Sequence, residues 1–214
     1  MDEIIRTIAV YALPVLFAIT VHEAAHAFAA KRFGDTTAFV AGRMSLNPIK
    51  HIDPLGTIIL PLILVMTSSP LLFGWAKPVP VVESKLNNPR RDMAWVALAG
   101  PGANFIMALL WLMLGLACRA LEVQEAFPYK VADAGVQVNL LLFAFNLMPV
   151  LPLDGGRVLA SFLPPRLSLR FSQTEPYGFY IVLGLMVFGL AKYWVMPVGE
   201  LGAAAIMLIA SPFT

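Results

Sequence analysis

Cysteine and charge are both scarce in this chain. A single cysteine, Cys118, stands among 214 residues, which excludes an intrachain disulfide and a cysteine-built metal cluster. Lys, Arg, Asp and Glu make up 13% of the residues, too few to clothe a soluble domain of this length. The net charge of +2 is too small for nucleic-acid binding. Repeats and low-complexity stretches are missing too, so residues 1–214 read as one integral-membrane domain. The acids Asp2 and Glu3 spoil a basic leader, and the apolar run after Arg6 outlasts the core of a signal peptide. The N-terminus therefore reads as a retained membrane helix.

Apolar residues are what the chain has in abundance: 59% of the total. They come in long runs rather than amphipathic stripes, the pattern of surfaces that face lipid. The run from Ile8 to Ala30 is roughly 35 Å long as a helix, enough to cross a hydrocarbon core, and Lys31 and Arg32 close it. Residues 34–54 are polar and turn-rich, with Phe39–Leu46 expected as a short strand pair around Gly42. Leu55–Phe73 is apolar but broken by Pro61 and closed by Ser68-Ser69-Pro70. The prolines of Trp75–Val81 favour extended backbone. Met93–Cys118 and Ala132–Leu151 are further spanning candidates, Gly178–Ala191 is a short apolar helix, and residues 198–212 form a last apolar segment. The expected architecture is an all-α polytopic membrane protein. About three spanning helices carry its site, beside a re-entrant or β-hairpin region and a C-terminal helical hairpin.

Chemistry concentrates inside the first run. His22-Glu23-Ala24-Ala25-His26 has the H-E-x-x-H form, and residues i and i+4 share a helix face, so both imidazoles reach one ion. Glu23 is rotated about 100° away, near enough to serve a water at the metal without ligating it. Zinc suits the set, because catalytic zinc takes three protein ligands and keeps one position open. The same pattern arises by accident on soluble helices. Here, however, it spends two of three histidines within an apolar helix, where ionisable groups are costly unless they function. Asp154 is the strongest third ligand. It follows an apolar approach, prolines that break the helix, and Gly155-Gly156, which admits close backbones. Taken alone, Asp154-Gly155 is an ordinary turn.

His22-Glu-x-x-His26 with Asn146-x-x-Pro149-x-x-Pro152-Leu-Asp154-Gly155 resembles the site-2 protease family of intramembrane metalloproteases. Gly42-Arg43-Met-Ser-Leu-Asn47-Pro48-x-x-His51-Ile-Asp53-Pro54-x-Gly56-Thr57 resembles its compact prokaryotic branch. So do Gly74-Trp-Ala-Lys-Pro78-Val-Pro80-Val and Ala99-Gly100-Pro101-Gly-Ala-Asn104. The likeness covers residues 20 to 160. It implies one zinc held by His22, His26 and Asp154, Glu23 as catalytic base, and Asn146 on the substrate or its oxyanion. The substrates it implies are transmembrane proteins cut in or near their membrane segments. Some members carry PDZ or CBS modules, for which this chain has no room.

Topology tests the site independently. The histidines lie near the C-terminal end of one helix and Asp154 just past the end of another, so these helices must run parallel, with an odd number of crossings between them. Met93–Cys118 supplies one, and Leu55–Phe73 must then enter and return. That arrangement gathers eleven cations (Lys31, Arg32, Arg43, Lys50, Lys77, Lys85, Arg90, Arg91, Arg157, Arg166 and Arg170) at the active-site end. Arg6, Arg119 and Lys130 fall opposite, so the positive-inside rule turns the active site toward the cytoplasm of a multi-pass cell-membrane protein. Two other classes compete. A metal-ion transporter explains the histidines but not a non-ligand Glu between them. A non-catalytic scaffold for membrane segments predicts loss of His22, Glu23 or Asp154, and all are present. His51 reads as a loop residue, and either Gly42–Leu46 or Lys77–Val81 is expected to pair with an unwound substrate as an added strand.

Overall fold

A computed structural model of the chain describes residues 2–59, 63 and 74–213. Helix α1 spans Asp2–Arg32 and is followed by the single turn α2, Thr37–Val40. A 3-10 turn at Pro48–His51 and a π-helical turn at Pro54–Ile59 come next. Residues 74–82 form neither helix nor strand, and after Val82, which is extended, comes a 3-10 turn, Glu83–Lys85. Two long helices follow, α3 (Pro89–Ala120) and α4 (Ala126–Asn146). The chain then makes the short helices α5 (Asp154–Phe162), α6 (Pro165–Ser172) and α7 (Glu175–Val187), and finishes with α8, Lys192–Ala210.

Among the described residues, three helices are long and apolar enough to cross a membrane: α1 from Ile5, α3, and α8 extended to Phe213. Their packing faces are built from small residues. Ala18, Ala27 and Ala30 of α1 and Ala108 of α3 are fully buried, as is Ala144 of the neighbouring α4, which lets helices approach closely where hydrophobicity alone cannot drive them together. Helix α4 has 21 residues, roughly 31 Å at 1.5 Å each. It starts at Ala126, ahead of the expected Ala132, taking Lys130 into its second turn. It ends at Asn146 rather than Leu151, since Pro149 and Pro152 cannot continue the hydrogen-bond ladder. Helix α8 begins at Lys192 instead of residue 198 and carries Pro197 inside it.

The register of the long helices follows from cross-contacts. Asn87 N–H donates to Phe33 O, His26 Nδ1 to Val96 O and Asn104 Nδ2 to Ala18 O, so α1 and α3 are antiparallel. Asn104 meets Asn139, and Gly115 faces Ala132, so α3 and α4 are antiparallel too. Helices α1 and α4 therefore run in the same direction, and Tyr11 Oη donates to Gln137 Oε1 between them. Helix α8 returns against α4, with Trp194 Nε1 donating to Ala144 O at one end and Ile206 packed with Leu140 and Ala108 further along.

Most of Leu55–Phe73, residues 60–62 and 64–73, lies outside the described residues. Its flanks are described and they meet: Trp75 N–H donates to Gly56 O at 3.2 Å, and Thr57 Oγ1 donates to Trp75 O at 2.8 Å. A membrane crossing between them would separate those flanks by about 30 Å; Gly56 and Thr57 instead lie at one level with Trp75. The expected strand pair around Gly42 does not form, and no strand occurs among the described residues. Asp35 Oδ1 accepts the Thr37 N–H and starts a helical turn instead. That turn closes with Gly42 N–H on Phe39 O, Gly42 taking φ +65°. An isolated two-stranded pair with no third partner would be marginal.

Candidate metal centre

His22, His26 and Asp154 meet where the sequence required them to meet. His22 Nε2 lies 3.2 Å from Asp154 Oδ2, His26 Nε2 lies 3.4 Å from Asp154 Oδ1, and the two Nε2 atoms are 3.0 Å apart. Both imidazoles are buried. Helix periodicity brings the histidines to one face, and the proline-broken turn after α4 swings Asp154 onto it. That turn includes a cis Leu151–Pro152 peptide. Its close fit needs glycine, since a Cβ at Gly155 would stand 2.1 Å from Leu147 O. Helix α3 lies just as close on the other side, where a Cβ at Gly100 would stand 2.3 Å from His26 Nε2.

Hydrogen bonds behind the imidazoles fix their tautomers. Val96 O, a carbonyl that can only accept, lies 2.7 Å from His26 Nδ1, so that nitrogen carries the proton. His22 Nδ1 lies 2.6 Å from Asn104 Oδ1. The orientation of Asn104 is itself dictated, because its Nδ2 donates to Ala18 O and to Asn139 Oδ1. Asn139 Nδ2 in turn donates to Gly135 O. Each amide has one workable orientation, and each imidazole turns its bare Nε2 lone pair toward Asp154. Such support behind a histidine sets its direction and raises its basicity as a ligand.

This arrangement fits a cation and little else. Lone-pair atoms converge from three side chains within 4.8 Å of one another. Asp154 Oδ2 is buried without a hydrogen-bond partner, an expensive condition unless a positive ion supplies the partner. Ligands of tetrahedral zinc at about 2.0–2.1 Å stand roughly 3.3 Å apart, close to the 3.0, 3.2 and 3.4 Å separations here. Two imidazoles and one carboxylate are a donor set of catalytic zinc.

The cluster opens on a cavity of about 790 Å³, also lined by Glu23, Asn146, Trp75, Phe179 and Arg157. Glu23 stands beside the donors without joining them, and its Oε2 accepts the N–H of Val79 at 2.8 Å. Asn146 reaches the cavity wall, with its Nδ2 donating to Leu142 O one turn back. His51 is buried in the loop, donating through Nε2 to Ser45 O and accepting Lys77 N–H on its own carbonyl. It holds the loop and is absent from the cavity lining. Asn104 and Asn139 were missed as functional residues. The signal was present, since amides within apolar helices are costly when unpaired. Arg157 was missed as well; it lines the cavity while its Nη2 bonds Glu175 Oε1 at 2.9 Å, tying α5 to α7.

Membrane-length apolar helices around an H-E-x-x-H metal cluster with a downstream aspartate define the class, that of membrane metalloproteases. The model of peptidase family M50 matches residues 10–136, and the chain belongs to this family, that of the site-2 proteases. It is 39% identical over 204 residues to "Putative zinc metalloprotease YwhC" of Bacillus subtilis, covering 93% of this chain and 90% of that protein. "Putative zinc metalloprotease Rip2" of Mycolicibacterium smegmatis is 32% identical over 182 residues, covering 84% of this chain and 67% of the relative. Its namesake in Mycobacterium tuberculosis is 30% identical over 183 residues, with the same coverage. No solved structure matches.

Proposed function

We propose that this chain is an intramembrane zinc endopeptidase that hydrolyses peptide bonds in or beside the transmembrane segments of other membrane proteins. One observation carries the reading: His22, His26 and Asp154 converge on one point, at a cavity they share with the non-ligating Glu23, within a bundle of membrane-length helices. A transporter needs no carboxylate held beside the metal and outside its coordination.

His22, His26 and Asp154 would hold the zinc, which when bound supplies a Lewis acid that polarises the scissile carbonyl and acidifies a water. Glu23 takes the proton of the attacking water and returns it to the leaving amine. Asn146 donates to the oxyanion as it develops, exchanging its bond to Leu142 O for one to substrate. A helical substrate must be unwound to expose its backbone, and a cavity at the metal gives the freed groups a polar refuge. The cation distribution favours a site facing the cytoplasm of the cell membrane. To the eleven cations of the active-site end the structure adds Lys192, because neighbouring Trp194 bonds Ala144 near the end of α4.

The reading is tested by Glu23→Gln in cells expressing a single-span reporter substrate. The reporter fragment should vanish while the purified variant keeps one zinc per chain. Undiminished cleavage would remove Glu23 as base, and loss of zinc would make it a ligand.

A further inference from the structure

The stretch 74–82 has few backbone donors to offer. Pro78 and Pro80 have no N–H. Lys77 N–H is given to His51 O at 3.0 Å and Val82 N–H to Asp35 Oδ2 at 2.6 Å. Its carbonyls are engaged too, Lys77 O by Arg43 Nη2 at 2.7 Å and Trp75 O by Thr57 Oγ1 at 2.8 Å. These bonds anchor the stretch at Trp75, Lys77 and Val82. What it does present to the cavity is the Val79 N–H, directed at Glu23 Oε2. The Val79 side chain packs with Ala27 and Ala38, which fixes the direction of that N–H. No other described residue hydrogen-bonds the Glu23 carboxylate.

We propose that the backbone N–H of Val79 is a positioning group for Glu23, holding one carboxylate oxygen so that the other stays turned toward the reacting water. The inference rests on the reading of Glu23 as the base. A glutamate has three rotatable side-chain bonds, and α1 alone does not choose among its rotamers. A misplacement of about 1 Å in such a group costs as much as ~100-fold in rate. The proline on each side keeps residue 79 extended, so the donor survives in a segment that has surrendered its neighbours' N–H groups.

The test compares Val79→Pro, which removes the N–H, with Val79→Ala, which keeps it and trims the packing. The proline ring also sets a carbon where the N–H pointed at Glu23, so an amide-to-ester replacement, which adds no bulk there, must slow turnover to the same extent. With the zinc-loaded protein and a single-span substrate, Val79→Pro should lower kcat about 10- to 100-fold. KM should stay within about twofold and zinc remain stoichiometric, as expected when only a transition-state contact is lost. Val79→Ala, which keeps the N–H but loosens its packing on Ala27 and Ala38, should fall between the parent and Val79→Pro. If the proline variant melts early or loses zinc, an amide-to-ester replacement at Val79 removes the same N–H and keeps the side chain, with the same expectation. An unchanged or raised kcat without the N–H would overturn the proposal, as would Val79→Ala slowing as much as Val79→Pro. Glu23→Gln run alongside separates the two claims: if it is inactive while Val79→Pro is not slowed, only the positioning role falls; if it keeps full turnover, the base falls.

Discussion

Two glycines on one helix give a sharp contrast at the residue scale. A Cβ at Gly100 would stand 2.3 Å from His26 Nε2, whereas one at Gly102 would meet nothing within 4 Å. Gly100→Ala should therefore lower zinc affinity by about 10-fold or more, the size of effect seen when groups supporting a metal ligand are disturbed. Gly102→Ala should match the parent, and a cobalt-substituted protein would report both through its ligand-field spectrum. Equal affinities would mean that α3 does not lie against the imidazoles. Asp154→Ala should weaken zinc binding further, since it removes a donor and leaves two lone pairs facing a void. Unchanged affinity would place the third ligand elsewhere. Asp35, in the turn after α1, answers to pH. Burial pushes its carboxyl upward, but hydrogen bonds from Thr37 and Val82 and the charge of Lys85 outweigh that and hold it below the usual range. A depressed folded-state pKa contributes stability that is present above the unfolded value, about 3.9, and is lost as pH falls through the folded one. The melting temperature should thus decline below about pH 4, and Asp35→Asn should flatten that limb. An unaltered acid limb in Asp35→Asn would show that this carboxylate does not anchor the 74–82 segment.

Among the elements, the long helices were legible because hydrophobic runs and their charged ends are strong signals. The parallel direction of α1 and α4 followed from the metal site alone. Element boundaries were harder. Nothing local in Phe39–Leu46 said that Asp35, rather than a partner strand, would capture the Thr37 N–H and turn the chain helical. The short apolar run Phe39-Val40-Ala41 before Gly42 fits strand or helix until a cap is supplied from outside the window. The site's ligands were legible from spacing, while its supports Asn104 and Asn139 were not, because their roles exist only once three helices are packed. The meeting of Thr57 and Trp75 at one level is open to direct test. In a Cys118→Ala background, cysteines at exposed Val40 and Ser84 should react with an impermeant thiol reagent from the same face, and one at exposed Leu121 from the other. Opposite labelling of Val40 and Ser84 would contradict the hydrogen-bonded approach of Thr57 and Trp75.

Taken whole, the molecule combines costly polar chemistry with a lipid-facing exterior. Large side chains such as Leu201, Leu208, Phe188 and Tyr180 are more than two-thirds exposed, a surface that water does not tolerate and lipid does. The two histidines, the aspartate and the paired amides are drawn inward, each with a partner or a lone pair aimed at the metal position. The account therefore places peptide hydrolysis at membrane depth, and that claim is best tested on purified protein in lipid bilayers with a single-span substrate, by mass spectrometry of the fragments. Chelation should stop cleavage and zinc restore it, and the cut should fall within the substrate's apolar segment or within a few residues of its end. Cleavage confined to the substrate's water-exposed domains, or cleavage that survives zinc removal, would contradict the account.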